Sequence, residues 1–318
     1  MNQLVSIVFL IPFDSQPPTA LILLPQHLPA AEILRNEGFD VREVPLESFS
    51  QPAPGFSDVA VLNLMPVKPT TELDFARVCA RTGLSLRLCF FRLDGQTFKH
   101  TSEDYIRSFY LSFSQLRQLP PRRLIVTGAP LEQIAFEDVR YWQPLCELMD
   151  WADRHVPSTL YVCWAAQAAL YHFNHVPKHA IPEKRFGIFP VETAGEDVLK
   201  SAPACRRFLE PLAPCFMMPH SRHSEVRLAD FPTTGADAPL PLASGADCGL
   251  SLAATADLRR VFVTGHLEYA SETLHNEYQR DLAKGLPIQP PLNYYSPEGE
   301  ILNRWLPSAV TFYRRFLE

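Results

Sequence analysis

Two hydrophobic periods alternate along this chain. Short runs that are mostly apolar recur between segments whose apolar positions return every three or four residues. VAVLNLM at 59–65, LSLRLCFF at 84–91, RLIV opening the stretch at 123–130, and STLYVC at 158–163 are of the first kind. A strand covered on both faces reads in this way, because neither side of the pleat meets water. Helical segments separate these runs. Thr71, with Asp74 three residues on, predicts a capped helix start. VRYWQPLCELMDWADRH predicts a helix opening near Pro144. WAAQAALYHF follows STLYVC with no linker at all. Strand, helix and strand in this succession predict an α/β fold: a doubly wound, mostly parallel sheet with helices on both faces.

From about 178 to 241 the pattern loosens and prolines accumulate, which predicts an irregular elaboration of the domain. CGLSLAAT and RRVFVTGH then predict a hairpin turning at 256–258. Ser271 is the expected N-cap of a helix ending at Lys284, with Gly285 just beyond it. A Pro-rich loop and a last helix at 308–316 close the chain. Near the start, the apolar run at 4–11 is read as a strand or an ordered arm. No Lys or Arg precedes it, and Pro12 and Asp14 end it too early for a membrane span.

Composition narrows the classes of function. A chain of 318 residues can bury a substantial core, and 47% hydrophobic with 20% charged residues excludes a disordered polymer. The net charge of −6 argues against nucleic acid or an anionic membrane as a partner. Seven cysteines form no CxxC pair and are odd in number, against a disulfide framework or a four-thiolate zinc site. A soluble protein of the reducing cytoplasm is expected. The ten histidines form no HExxH motif, so PHSRH and HLE stay short clusters and no metal is expected.

One cysteine stands apart. Cys163 ends a strand and starts a helix, the junction at which a nucleophile elbow lifts a side chain above the sheet. A helix N-terminus there favours a thiolate and offers N–H groups to an oxyanion. The plainer reading is a buried structural cysteine. His266 follows the end of a later strand in VTGHLEY, and Glu268 lies two residues on. A thiol nucleophile needs a base, and the base needs a carboxylate to orient it. A loop histidine with a solvated glutamate is the plainer reading of that pair. Together, the two features supply what each lacks.

NLMPVKPTTE, IVTGAPLE followed by FEDVRYW, VCWAAQAAL, EKRFGIF, PHSRH, VTGHLEY and NYY, in order from Asn63 to Tyr295, closely resemble the homoserine O-acyltransferase (homoserine transsuccinylase) family. That family has a fold like the class I glutamine amidotransferases. Before Asn63 the resemblance is loose. Residues 1–58 are therefore expected to be a divergent N-terminal segment packed on a single domain at 59–318.

The resemblance implies acyl transfer in two steps. Cys163 would carry the acyl group, His266 would be general base and Glu268 would orient it. The Trp164 N–H would serve the oxyanion, and Lys68 would lie near the reacting carbonyl. Lys184, Ser221 and Arg280 fall on substrate positions, with Glu277 either taking the ammonium or simply pairing with Arg280, and Arg222 a looser candidate. Glu132 occupies the position that tracks the donor: family members using succinyl-CoA resemble TGAPLG there, and those using acetyl-CoA carry Glu. The expectation is acetyl transfer to L-homoserine in methionine biosynthesis. Acetyl-CoA would be a co-substrate, with no other cofactor, and the small-molecule partners would be the acyl-CoA and a small hydroxy amino acid. Succinyl-CoA as donor and L-serine as acceptor are the alternatives. A glutamine amidotransferase-type hydrolase and a non-catalytic binding protein are more distant ones. A homodimer is expected on frequency alone. The chain departs from the family pattern at Val67, where a lysine is usual, at Leu267 in place of Pro, and at Pro190, where a His is frequent.

Overall fold

The structure, a computed structural model, describes residues 20–318 except 233 and 236. The apolar run at 4–11 lies outside the described residues. The strands are β1 (Ile22–Pro25), β2 (Val41–Val44), β3 (Ser57–Leu62), β4 (Leu86–Arg92), β5 (Tyr110–Ser112), β6 (Arg123–Val126), β7 (Ser158–Val162), β8 (His179–Thr193), β9 (Cys215–Glu225), β10 (Leu240–Gly245), β11 (Gly249–Ala254) and β12 (Arg260–Val263). They build one sheet in the order β2-β1-β4-β3-β6-β7-β12-β11-β10-β8-β9, with β5 paired to β4. Pairing is parallel from β2 to β12 and antiparallel from β12 to β9.

The helices are α1 (Pro29–Asn36), α2 (Lys68–Arg81), α3 (Glu103–Phe109), α4 (Phe113–Leu116), α5 (Trp142–His155), α6 (Trp164–Asn174), α7 (Glu196–Leu199), α8 (Pro203–Leu209), α9 (Thr273–Ala283) and α10 (Leu306–Leu317). Strand residues divide between two cores by alternation. Val59, Val61, Leu88, Phe90, Leu160 and Val162 enter one core with α1, α2 and α10. Ala60, Leu62, Cys89, Phe91 and Tyr161 enter the other with α5 and α6. This is why the central strands read as unbroken apolar runs.

Several boundaries differ from the sequence pattern. α2 begins at Lys68 with Val67 as its N-cap and no side-chain cap, so Thr71 lies inside it. Pro69 in the first turn, with φ already set for a helix, explains the early start. α5 opens at Trp142, and Pro144 sits in its first turn, where an N–H would have no intrahelical partner. Glu272 rather than Ser271 precedes α9, while Gly285 follows it at φ +70. The hairpin of β11 and β12 forms as expected.

The largest difference lies at 179–225. The stretch expected to be irregular carries the two long strands β8 and β9. Proline hid them: Pro182 falls where the register shifts between Ala180 and Arg185, and Pro190 and Pro219 lie in the ladder. Strands at the margin of a sheet tolerate the missing N–H. Upstream, β1 and β2 belong to the same sheet, β1 pairing directly with β4, so the ladder runs across residue 58.

Candidate active site

β7 ends at Val162 and α6 begins at Trp164, leaving one residue to turn the chain. That residue is Cys163, at φ 53 and ψ −115, a left-handed conformation costly for any side chain with a Cβ. The turn is pinned on both sides. The Cys163 N–H donates to Val263 O at 2.7 Å, and its carbonyl accepts from the Ala166 and Gln167 N–H groups. The Trp164 N–H opens the helix and has no intrahelical acceptor, so it remains available to an oxyanion. Gly128, after β6, lies so close that a Cβ there would stand 3.2 Å from the Cys163 Cβ. Glycine is what lets that loop approach the nucleophile.

β12, beside β7 in the sheet, delivers His266 and Glu268 past its carboxyl end. The His266 N–H donates to Pro219 O at 2.8 Å, and its Nδ1 meets Glu268 Oε1 at 2.6 Å. Both side chains are buried. Burial disfavours a charged imidazole, but Cys163 and the Glu268 carboxylate outweigh it and hold the His266 pKa well above its ordinary value. Tyr269 stacks flat on the imidazole, with ring centroids 4.2 Å apart. Cys163, His266 and Glu268 thus form one contiguous group at the carboxyl edge of the parallel strands, where α/β sheets place their sites.

A second group lies beyond Tyr269. Lys184 Nζ donates to Glu277 Oε1 at 2.6 Å and to Asp281 Oδ2 at 3.4 Å, and Ser221 Oγ donates to the same Glu277 oxygen at 2.7 Å. Arg280 reaches Asp281 through Nε at 2.8 Å, and its side chain remains 54% exposed. Lys184, Ser221, Glu277 and Arg280 therefore converge from β8, β9 and α9. Asp281 joins them, a residue that sequence reasoning missed. Tyr269 links the two groups: burial, then Glu277, Glu268 and Cys163, push its pKa well above the ordinary value. Arg222 is different. Its side chain is buried and donates to Ser224 O, Cys248 O and His220 Nδ1, which makes it a brace within the antiparallel strands rather than a substrate contact.

The loop before α2 forms the third part. Lys68 is buried, donates to Asn63 O, and lies 5.0 Å from the Phe98 ring centre. Burial lowers its pKa to about 8, opposed by Glu72. Glu72 accepts from the Tyr105 and Tyr110 hydroxyls, and Asn63 Nδ2 donates to Tyr110. The Leu64 N–H donates to Thr127 Oγ1 at 2.8 Å, joining this loop to the one that abuts Cys163. Lys68, Met65 and Ala129–Leu131 line one side of a cavity of about 550 Å³. Glu132 follows directly, half-buried, and interacts with Lys178. Glu72 and Asp74, buried polar residues on α2, were also missed. Their signal was available, since polar side chains fell on the face that carries Phe75, Ala76 and Cys79.

Among the described residues, no group of three His, Cys, Asp or Glu could hold a metal ion, and no helix is long and apolar enough to cross a membrane. The family model of homoserine O-succinyltransferase matches residues 21–318. The chain belongs to that family. The homoserine O-succinyltransferase family includes relatives with another acyl group in their names. A protein of Bacteroides thetaiotaomicron named homoserine O-acetyltransferase is 40% identical, over 92% of this chain and 93% of its own. One of Brevibacillus brevis with the same name is 40% identical, over 93% and 94%. Among solved structures, a glutamine amidotransferase of Thermotoga maritima aligns with a TM-score of 0.51 over 84% of this chain and 98% of its own. One from Methylobacillus flagellatus aligns at 0.52 over 83% and 95%. Each is 13% identical, and the likeness is one of fold.

Proposed function

We propose that this chain transfers an acetyl group from acetyl-CoA to the hydroxyl of L-homoserine through an acyl-cysteine, feeding methionine biosynthesis. One observation carries the reading. The chain aligns at 40% identity with proteins named homoserine O-acetyltransferase, and within it Cys163, His266 and Glu268 stand together at the sheet edge. In the first step, Cys163 Sγ attacks the thioester carbonyl, the C–S bond to CoA breaks, and the CoA thiolate takes a proton from His266. The two sulfur esters are close in energy, so this step needs no external driving force. In the second, His266 accepts the homoserine hydroxyl proton, the oxygen attacks the acyl-cysteine, and the Cys163 thiolate departs. The Trp164 N–H stabilises the oxyanion in both steps.

Arg280 suits the amino-acid carboxylate and Glu277 the ammonium, each reached from the open side of α9. Lys184 and Ser221 hold the Glu277 carboxylate in place. Glu132 supports acetyl over succinyl, because a carboxylate on the donor would meet a like charge and find its space filled. The direct test measures free CoA thiol with purified protein, acetyl-CoA or succinyl-CoA, and homoserine or serine. Acetyl-CoA with homoserine should be the fastest pair, and no release with either donor would remove the reading. Glu132→Gly should shift kcat/KM towards succinyl-CoA. A wild type that prefers succinyl-CoA would sink the donor assignment and leave the transferase standing.

A further inference from the structure

The cavity of about 550 Å³ has an inner end and an outer end. At the buried, inner end are Leu64, Lys68 and Ala129, and Ala129 directly follows Gly128, the residue that abuts Cys163. The middle is apolar, with Leu93, Phe98, Leu131, Ile134 and Tyr141 among its walls. At the outer end three exposed basic side chains line it: Lys99 and His100 from the loop after β4, and Arg140 from the loop before α5. None of the three has a carboxylate partner among the ion pairs of the described residues, as is also true of exposed Arg42, Arg117 and Lys284 elsewhere; what distinguishes Lys99, His100 and Arg140 is that they border one cavity. Two acids share the lining. Asp94 accepts from the Ser114 N–H at 3.1 Å and Oγ at 2.6 Å, and Asp138 is exposed beside Arg140. Three basic side chains from two separate loops thus border one cavity in a chain of net charge −6.

We propose that Lys99, His100 and Arg140 form the subsite for the phosphate groups of the acyl-CoA donor. The apolar middle takes the pantetheine arm, and the inner end presents the thioester to Cys163. The inference rests on the acyl-CoA reading of the site, but it concerns different residues. The chemistry matches part by part. CoA carries its negative charge at the end far from the sulfur, and a flexible, largely uncharged arm spans the distance. Guanidinium and ammonium groups on exposed loops suit such phosphates while remaining solvated, and this contribution is sensitive to salt.

The experiment compares two donors in the full-length protein: acetyl-CoA, and acetyl-pantetheine, which lacks the phosphates. It uses wild type, Lys99→Ala, Arg140→Ala and the double variant. Binding of free CoA is measured separately by titration calorimetry. The double variant should raise the KM for acetyl-CoA by about tenfold or more, as expected when charged contacts are lost. It should leave the KM for acetyl-pantetheine where it is in wild type, and it should flatten the salt dependence of the acetyl-CoA KM. An unchanged acetyl-CoA KM, or equal damage with both donors, would overturn the subsite while leaving the transferase intact. If wild type turns over no acyl-CoA yet binds CoA, and the double variant loses that binding, the subsite stands and the transferase reading falls. A wild type that neither turns over nor binds CoA overturns both.

Discussion

His266 has a partner on each side, Cys163 and Glu268, and neither contact can be replaced by water in so buried a place. Removing the imidazole should cost both half-reactions, by about a hundredfold or more. Glu268→Gln keeps an acceptor oxygen for Nδ1 and loses only the charge, so a measurable fraction of turnover should survive. Single-turnover acylation followed by mass spectrometry separates the steps, and an ordinary acylation rate in His266→Ala would remove it from the mechanism. Asp74 offers a test through pH. Burial raises its pKa from 3.8 to about 8, with the Glu268 charge adding to the shift and Arg77 and the Ala270 N–H opposing it. Between those values the carboxyl is ionised in the unfolded chain and protonated in the folded one. The unfolded state then binds fewer protons, so this group's contribution is complete below pH 3.8 and is lost as pH rises to about 8. The loss is at most about 1.4 kcal/mol for each pH unit. Asp74→Asn removes the titration and should gain stability over wild type steadily across that window. Urea unfolding at both ends measures it, and a constant difference between the two proteins would show that Asp74 does not titrate there.

At the scale of elements, α9 and β8 carry the proposed acceptor side, and within it the Arg280 side chain stays 54% exposed. Its fork can hold a carboxylate with two parallel bonds, which a lysine cannot reproduce. Arg280→Lys should raise the homoserine KM about tenfold or more while leaving acylation by acetyl-CoA nearly unchanged. Steady-state KM set against single-turnover acylation reads the split, and equal damage to both would make Arg280 structural. These elements also mark what the sequence could and could not disclose. β3, β4, β6 and β7 were legible because both faces are covered, and the Cys163 junction was legible because no residue separates strand from helix. His266 and Glu268 were legible because one loop carries both. β8 and β9 were not, since their prolines mimic loop chemistry and marginal strands escape the usual penalty. Nothing in local spacing joins Lys184, Ser221 and Glu277, which are brought together only by β8–β9 pairing and the return of α9. Their assignment came from resemblance, and Asp281, four residues after Glu277, carries no spacing signal that singles it out from other acids on a helix face.

Across the whole molecule, α10 and the residues just before it pack against α2 and α8 and reach Tyr269. α10 packs on α2 through Tyr313 against Phe75, at 6.3 Å between centroids, and on α8 through Phe312 against Phe208, at 5.3 Å. Arg314 donates to Thr82 O at 3.3 Å, and Arg123 at the start of β6 donates to Phe316 O. Just before α10, Trp305 is buried against Tyr294 and donates its indole N–H to Tyr269 O at 3.1 Å. Tyr269 is the ring stacked on His266, so the tail reaches His266 through one hydrogen bond and one stack. If that path positions the base, Trp305→Phe should do two things. The carbonyl left without its donor should cost about 1–3 kcal/mol of stability. The loosened Tyr269 ring should lower kcat more than it raises either KM, because buried Trp305 presents no surface to a substrate while Tyr269 stacks on the imidazole. Phe312→Ala is the control: it should cost more stability, about 3–5 kcal/mol, with less effect on kcat at temperatures where the variant is still folded. Urea unfolding and steady-state kinetics on the two variants give the comparison. A Trp305→Phe protein that loses stability but keeps its full kcat would reduce the tail to packing and leave His266 held by Glu268 and Pro219 alone.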